Sequence, residues 1–363
     1  MKIAILGAGN AGCAAAADLT RTGNEVTLIK TSATLHESNF DFLLENGGRM
    51  TLEENGVRTA FPIARVTREL TALRGTEVVL LQIQTSYHED LIRRVLPFLG
   101  DGQILHINPG YLSTAYVLKY GGGRELTVAE AESAFLDGRI TGPGLFRVGS
   151  RNVRNPVGIY PAARSDEVFR KLLSLGEPLL QLRSVCEAAL HNPNLIVHTV
   201  GAALSIPQIE KYGKTFCMYH EVYTRNSPAT WRVVEALDRE KMDVLDALGL
   251  PRVRYVDACR ERNSLEQTLD GREVFLRYAE MPTRAPGPAA VDSRYLSEDV
   301  PQGLVLLESF GKALGVDTPV TSGLIALTSA ALGRDLRAEG RTLERLGNQN
   351  VVRILDDLSS VIR

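Results

Sequence analysis

Features that define several other protein classes are scarce or absent in this sequence. Its 363 residues include only four cysteines, at positions 13, 186, 217 and 259, and no two of them form a Cys-x-x-Cys pair. No group of cysteine and histidine has the spacing of metal ligands, so the sequence predicts free buried thiols and no metal site. Free thiols are typical of a reducing compartment, and we therefore expect a cytoplasmic protein.

An excess of one charge and long apolar runs are missing as well. The formal net charge is -2, and the arginines are scattered among acidic residues, which argues against nucleic acid or an anionic membrane surface as a partner. No apolar run reaches the roughly 18 residues that a membrane-spanning helix needs, and the apolar start is too short for a signal-peptide core. We expect small molecules as ligands, with no nucleic-acid or membrane partner.

The first half of the chain alternates strand-like and helical patterns. Apolar runs at 2–8, 25–30, 77–84 and 103–107 read as strands, and 11–22 and 89–99 have helical spacing. This alternation predicts an α/β domain with a doubly wound, mostly parallel sheet. Strand-like runs become rare after about residue 164, where helical patterns follow at 166–175, 187–206, 228–248, 303–314, 320–332 and 336–346. We expect two domains, 1–180 and a mostly helical 181–363.

A glycine-rich turn follows the first predicted strand. Gly7-Ala8-Gly9-Asn10-Ala11-Gly12 matches G-x-G-x-x-G and opens a predicted helix. In such a turn the glycines allow a tight bend and a close backbone approach, and the helix amino terminus presents N–H groups to a pyrophosphate. The context predicts a dinucleotide-binding unit, with Gly7, Gly9, Asn10, Ala11 and Gly12 at the cofactor.

The end of the second strand bears on which dinucleotide binds. NAD-binding domains usually carry Asp or Glu there, whereas this sequence has Lys30-Thr31-Ser32. A lysine and two hydroxyls attract a 2′-phosphate, which favours NADP(H) over NAD(H). Turns at later strand ends are candidates for the nicotinamide half, although ordinary turns remain an equal alternative; they contain Gln84, Thr85, Asn108 and Gly110.

Hydride transfer to a carbonyl or imine needs a group that exchanges a proton near neutral pH, and histidine suits this task. Among six histidines, His191 and His198 lie beside Asn192 and Asn194 at the start of the second domain. We expect them near a cleft between the domains, where such sites are common.

Three stretches outside the glycine turn carry a resemblance to a known family. They are 190–198 (LHNPNLIVH), 287–303 with its Ser293-Arg294-Tyr295-Leu296-Ser297-Glu298-Asp299-Val300-Pro301 core, and 339–347 (EGRTLERLG). Together with the Asn108-Pro109-Gly110 turn they resemble the octopine/nopaline (opine) dehydrogenases over nearly the whole chain, and 212–278 matches only loosely. The resemblance implies NAD(P)H-dependent reductive condensation of an amino acid with a 2-oxo acid such as pyruvate.

Residue roles follow from this resemblance. It implies His198 as general acid/base, Asp299 as its partner, and Arg294 as the residue that binds the 2-oxo acid carboxylate; Asn194 and Tyr219 are further substrate-binding candidates. A structural ion pair is the alternative for Arg294, and a helix cap ahead of 303–314 is the alternative for Asp299. Tyr219, His220, Glu221 and Tyr223 either contact the amino substrate or lie on a helix surface.

Two other functions stay open at this point. A ketopantoate-reductase-like or hydroxy acid dehydrogenase would use a lysine of the second domain, and Lys211 and Lys214 are available near Gly213. A cofactor-sensing regulator would bind NADP without turnover. The sequence leaves the amino acid, the oxo acid, the product stereochemistry and a homodimer undecided.

Overall fold

The computed structural model describes residues 1–33, 35–282 and 284–362, which form two compact units. The first unit comprises Met1–Val185 and Ile354–Val361, and the second comprises Cys186–Arg353.

The first unit is an α/β structure, as the sequence predicts. Its strands are β1 Lys2–Leu6, β2 Glu25–Ile29, β3 Arg49–Glu54, β4 Val57–Pro62, β5 Arg65–Thr67, β6 Val78–Leu81, β7 Ile104–Ile107, β8 Thr127–Ala131, β9 Leu136–Gly142, β10 Leu145–Arg151, β11 Asn155–Tyr160 and β12 Leu179–Gln181. Its helices are α1 Asn10–Arg21, α2 Glu37–Glu45, α3 His88–Val95, α4 Thr114–Tyr120 and α5 Ser165–Leu173.

In the described part of the chain, eight strands form the main sheet in the order β12-β11-β8-β7-β6-β1-β2-β5. All neighbouring strands run parallel except the antiparallel pair β8 and β11. Ile3 to Leu6 of β1 are fully buried because the strand is central in the sheet and is covered on both faces. The carboxyl ends of β1, β2, β6 and β7 therefore share one edge, where the glycine turn lies.

A second, four-stranded sheet in the order β4-β3-β10-β9 was not predicted. Its strands carry many charged residues, and β4 is mostly exposed, so no apolar run marks them. The side-chain oxygen of Asn10 accepts a 2.8 Å hydrogen bond from the Ile140 main-chain N–H, which ties α1 to β9. The Asn10 side chain therefore attaches α1 to this second sheet.

The second unit is helical, and several helices begin or end differently from the prediction. Its helices, with the terminal one that runs on into the first unit, are α6 Val185–Leu190, α7 Asn194–Ala203, α8 Ile206–Tyr212, α9 Met218–Glu221, α10 Pro228–Ala247, α11 Tyr255–Asn263, α12 Gly271–Ala279, α13 Arg294–Ser297, α14 Val305–Leu314, α15 Pro319–Leu332, α16 Leu336–Glu339, α17 Leu343–Leu346 and α18 Asn348–Ile362. The single helix predicted at 187–206 is interrupted between α6 and α7, where Pro193 stands. A π-helical turn, Val300–Leu304, precedes α14.

All four cysteines are buried and free, which confirms the prediction. Within residues 1–33, 35–282 and 284–362, no helix combines the length and the apolar character that crossing a membrane requires.

Candidate active site

The turn between β1 and α1 has the geometry that its glycines predict. Gly7 has a φ of 115°, and a Cβ there would lie 2.3 Å from the Gln82 carbonyl oxygen. A Cβ on Gly12 would lie 1.7 Å from the Gly7 carbonyl oxygen, so only glycine permits this close packing. Among the described residues, a Cβ on Gly9 would meet only the His36 ring, at 3.6 Å and beyond. Gly9 is the N-cap residue of α1, and the space in front of it suits a pyrophosphate.

The predicted 2′-phosphate position holds two cations rather than one. The Lys30 side chain is buried, and its Nζ lies 3.3 Å from Glu37 Oε1 and 3.4 Å from Ser32 Oγ. Arg68, which follows β5, is paired with the same Glu37, donates to the Ser32 carbonyl at 3.2 Å and lies over the Phe40 ring. The Arg68 side chain is 42% exposed, so Arg68 and not Lys30 has a surface that a ligand can reach.

Polar side chains with unsatisfied atoms lie at the ends of β6 and β7. Gln82 and Asn108 are buried, and Gln82 Oε1 and both polar side-chain atoms of Asn108 have no hydrogen-bond partner among the described residues. Buried amide groups are normally paired, so these atoms fit the polar groups of a bound ligand such as a ribose or carboxamide. Of the predicted residues nearby, Thr85 is buried and Gln84 is exposed.

Buried side chains pack against the Asn108-Pro109-Gly110 turn and support it. A Cβ on Gly110 would lie 1.7 Å from Glu130 Oε2, so any side chain there would have to displace the buried Glu130 carboxylate. Ser113 Oγ donates to the Gly110 carbonyl at 2.7 Å and lies 2.8 Å from His88 Nδ1. His88 is fully buried, and the contact assigns it to supporting this turn.

In the second unit, His198 and Asp299 meet although 101 positions separate them. His198 Nδ1 lies 2.7 Å from Asp299 Oδ2, and the side chains are 9% and 1% exposed. A carboxylate on Nδ1 fixes the imidazole tautomer and stabilises the imidazolium, and it leaves Nε2 as the nitrogen for proton exchange. Asp299 is the N-cap residue of the π-helical turn but makes no side-chain cap hydrogen bond to it, so its short contact with His198 favours the partner role over the helix-cap alternative.

Tyr295, which the residue-by-residue reasoning did not single out, lies flat against the imidazole. The ring centroids of His198 and Tyr295 are 3.7 Å apart with an interplanar angle of 7°. Stacking restricts rotation of the imidazole and covers one of its faces, and an aromatic face favours a cationic ring. Helix α13 therefore supplies the stacking ring, and the residue just before the π-helical turn supplies the carboxylate.

The two other predicted substrate residues on these elements lie beside the pair in sequence. Arg294 begins α13, is half-exposed, and its Nε lies 3.2 Å from Glu298 Oε2. The ion-pair alternative for Arg294 is therefore real, and it is compatible with ligand binding because it fixes the guanidinium. Asn194 begins α7 four residues before His198, which places both on one face of the helix.

His191 differs from His198 in its hydrogen-bond partners and electrostatic surroundings, although both are buried. It is buried, and neither ring nitrogen has a hydrogen-bond partner among the described residues. Burial, with the positive charges of Lys241 and Arg262, holds the pKa of His191 well below 6.5. His191 is thus neutral at pH 7, and the second unit offers His198 as the histidine suited to proton transfer.

Tyr219 is half-buried and belongs to an aromatic cluster. Its ring meets Tyr278 edge-on at 5.8 Å and Tyr223 at 6.3 Å. Burial raises the pKa of Tyr219 well above 10, and its hydroxyl also interacts electrostatically with Tyr295 and Arg284. Tyr219 therefore carries its proton at neutral pH. His220 and Glu221 are exposed, and Tyr223 is buried.

Two family models match the chain. Residues 181–332 match the alpha-helical domain of the NAD/NADP octopine/nopaline dehydrogenases, and residues 3–129 match the ketopantoate reductase PanE/ApbA family. The chain is 26% identical to an opine dehydrogenase of Arthrobacter sp. (strain 1C) over 354 residues, which covers 95% of this chain and 94% of that protein.

Solved structures show the same fold. An octopine dehydrogenase in complex with NADH and agmatine superposes with a TM-score of 0.76 at 16% identity and 98% coverage of both chains. A yersinopine dehydrogenase with bound NADP+ gives a TM-score of 0.69 at 16% identity, and the match covers all of this chain and 97% of that one.

Proposed function

We propose that this chain condenses an amino acid with a 2-oxo acid and reduces the resulting imine, because residues 181–332 match the octopine/nopaline dehydrogenase helical domain and 95% of the chain aligns with an opine dehydrogenase. The amine nitrogen forms a bond to the carbonyl carbon, and the carbonyl oxygen leaves as water. NAD(P)H supplies the hydride that converts the imine carbon to a secondary amine carbon. A proton from solvent ends on the new nitrogen, so the product is a secondary ammonium that carries two carboxylates.

The contact between His198 and Asp299 carries this proposal. His198 Nε2 takes a proton from the amino acid's ammonium group as the nitrogen attacks, and returns it to the carbonyl oxygen so that water can leave. Asp299, 2.7 Å from Nδ1, stabilises the imidazolium between these two transfers. Tyr295 holds the ring plane, so Nε2 keeps one direction.

Arg294 supplies charge for the 2-oxo acid. Its planar guanidinium suits a carboxylate through two parallel hydrogen bonds, and Glu298 fixes it through Nε. Asn194, on the same face of α7 as His198, is the amide we assign to the substrate carbonyl oxygen. These roles place positive charge and a hydrogen-bond donor around one proton-transfer group.

Gly7, Gly9, Ala11 and Gly12 would hold the pyrophosphate, and Gln82 and Asn108 would hold the polar groups of the nicotinamide half. Support comes from the glycine spacing and from the unsatisfied amide atoms of Gln82 and Asn108. Thr31, Ser32, Thr85 and Gly110 flank these positions, and Gln84 is exposed beside them.

NADP(H) is the favoured cofactor in this proposal. Lys30 and Arg68 both pair with Glu37, and Arg68 also lies 4.0 Å from Asp41, but the half-exposed Arg68 guanidinium still offers its charge to a ligand. A 2′-phosphate gains from that charge, whereas the ribose hydroxyls of NAD(H) prefer a carboxylate acceptor. Four free thiols support a cytoplasmic location for the protein.

A substrate screen tests the function. The purified protein is mixed with NADPH or NADH, a panel of 2-oxo acids and a panel of amino acids, and nicotinamide absorbance is followed. We expect oxidation only when an oxo acid and an amino acid are both present. Oxidation with an oxo acid alone would instead support a reductase of the ketopantoate type, which the match of residues 3–129 keeps as the second candidate.

A further inference from the structure

A buried arginine lies between two tyrosine rings of the second unit. Arg284 is only 8% exposed. Its guanidinium carbon lies 4.1 Å from the Tyr278 ring centroid and 5.0 Å from the Tyr219 ring centroid. Burial of a guanidinium is costly unless charge or hydrogen bonds compensate it. The two rings therefore provide part of the stabilisation that keeps this cation in place.

The backbone around Arg284 is fixed by main-chain pairing. Gly287 N donates to the Phe216 carbonyl at 2.6 Å, and Met218 N donates to the Gly287 carbonyl at 2.9 Å. These bonds hold the segment after Arg284 against α9, the helix that carries Tyr219. The main chain that follows Arg284 is therefore held close to Tyr219.

Tyr219 connects this arginine with the catalytic pair. Its ring contacts that of Tyr223 at 6.3 Å, and the Tyr223 hydroxyl donates to the carbonyl of Val197, the residue before His198. Arg284 is therefore two aromatic side chains away from the main chain next to His198. A planar guanidinium carries its N–H groups in its own plane, the geometry in which a carboxylate binds with two hydrogen bonds.

The reaction assigned above joins two molecules that each carry a carboxylate. One arginine binds one carboxylate through two parallel bonds, so two such anchors are needed around His198. We propose that Arg284 binds the α-carboxylate of the amino acid, while Arg294 binds the 2-oxo acid. The inference rests on the proposed function, and it names a residue that determines which amines are accepted.

The surroundings of the two arginines support this division. Arg284 lies against Tyr219 and Tyr278, and the Phe275 ring is 6.4 Å from that of Tyr278, so an aromatic wall begins beside the arginine and suits a variable amino acid side chain. Arg294 is half-exposed and paired with Glu298, a setting that needs no apolar wall and suits a small oxo acid.

The test pairs an arginine substitution with removal of the substrate carboxylate. Wild type, Arg284→Met and Arg284→Lys are assayed with pyruvate and the L-amino acid that the screen identifies, and again with the primary amine that lacks its α-carboxylate. Arg272→Met is the matched control, because Arg272 also stacks on an aromatic ring (Trp231, 4.3 Å) but is 40% exposed. Thermal unfolding of each variant reports on folding.

We expect Arg284→Met to lose about 100-fold in kcat/KM for the amino acid, which is the usual scale for truncating one partner of a buried charge pair. The kcat/KM for the amine and the KM of pyruvate should each change by less than about threefold. Arg284→Lys keeps charge without the two-pronged geometry, so an intermediate loss of about tenfold is expected. Arg272→Met should match wild type with both substrates. If Arg284→Met unfolds, the lysine variant decides by the same comparison.

The outcomes separate the two claims. If wild type oxidises NAD(P)H with no combination of oxo acid and amine, the proposed function fails and this inference fails with it. If wild type is active but the Arg284 variants lose activity equally with the amino acid and with the amine, or lose affinity for pyruvate instead, only the assignment of Arg284 is overturned.

Discussion

At the turn between β1 and α1 the candidate ligand groups are main-chain N–H groups, whereas around His198 they are side chains. The first region depends on the absence of side chains, since a Cβ at Gly7 or Gly12 would collide with backbone. The second depends on single atoms, such as the 2.7 Å contact between His198 Nδ1 and Asp299 Oδ2. Variants should therefore separate cleanly: changes at the turn alter cofactor affinity, and changes at His198 alter turnover.

The largest effect is expected at His198. His198→Ala should lower kcat by roughly 10²–10⁴-fold, because the proton-transfer group is lost. The affinity for NADPH, measured by fluorescence titration, should stay near the wild-type value, since the glycine turn is untouched. Asp299→Asn should give a smaller loss in kcat. Near-normal turnover of His198→Ala would remove this residue from the proposed role.

Gly9→Ala is the corresponding change at the turn. The new Cβ would meet only the His36 ring at 3.6 Å, so the fold should tolerate it, but it occupies the space assigned to the pyrophosphate. We expect NADPH to bind at least about tenfold more weakly, a difference of about 1.4 kcal/mol. Gly142→Ala is the control, because a Cβ there meets nothing within 4 Å. Equal affinities in both variants would contradict the turn assignment.

Arg68→Met sharpens the cofactor prediction. The variant removes the exposed cation at the end of β2, so the KM of NADPH should rise by about tenfold, as for one charge-assisted contact, while that of NADH stays unchanged. Arg93→Met serves as the control, since Arg93 is an exposed arginine of α3 paired with Asp90. An equal change in both KM values would show that Arg68 does not read the 2′-phosphate.

The smallest effect concerns stability in acid. His191 stays neutral in the folded chain because its pKa is held well below 6.5, whereas the unfolded chain binds a proton near pH 6.5. Stability is therefore retained above pH 6.5 and lost as the pH falls below it, by up to about 1.4 kcal/mol per pH unit. His191→Gln should flatten the decline of the unfolding temperature between pH 7 and pH 5. Parallel declines in the two proteins would refute the assignment to His191.

The same contrast explains what the sequence could predict. The glycine turn is a local pattern, so Gly7, Gly9 and Gly12 were recognisable from a few consecutive residues. His198 and Asp299 needed the family resemblance, because no local rule joins residues 101 positions apart. Tyr295 stood inside the recognised stretch, yet its role appears only when its ring is seen against His198.

Other parts of the structure gave no sequence signal. The second sheet pairs β3 with β10, which are remote in the chain, and its exposed, charged strands lack apolar runs. Arg68 and Arg284 reach their positions through such long-range pairing as well. Arg284 lies in a proline-rich stretch that reads only as a loop, and its stacking on Tyr219 and Tyr278 depends on the pairing of Gly287 with Phe216 and Met218.

The most direct measurement follows the transferred hydride and the amine nitrogen together. Reduced cofactor carrying deuterium at its transferable position is incubated with wild-type protein, pyruvate and an ¹⁵N-labelled amino acid, and the products are analysed by mass spectrometry. The account predicts one secondary amine that contains both the ¹⁵N atom and one deuterium on the former carbonyl carbon, and His198→Ala should form it far more slowly. Deuterated 2-hydroxy acid without ¹⁵N would contradict the account.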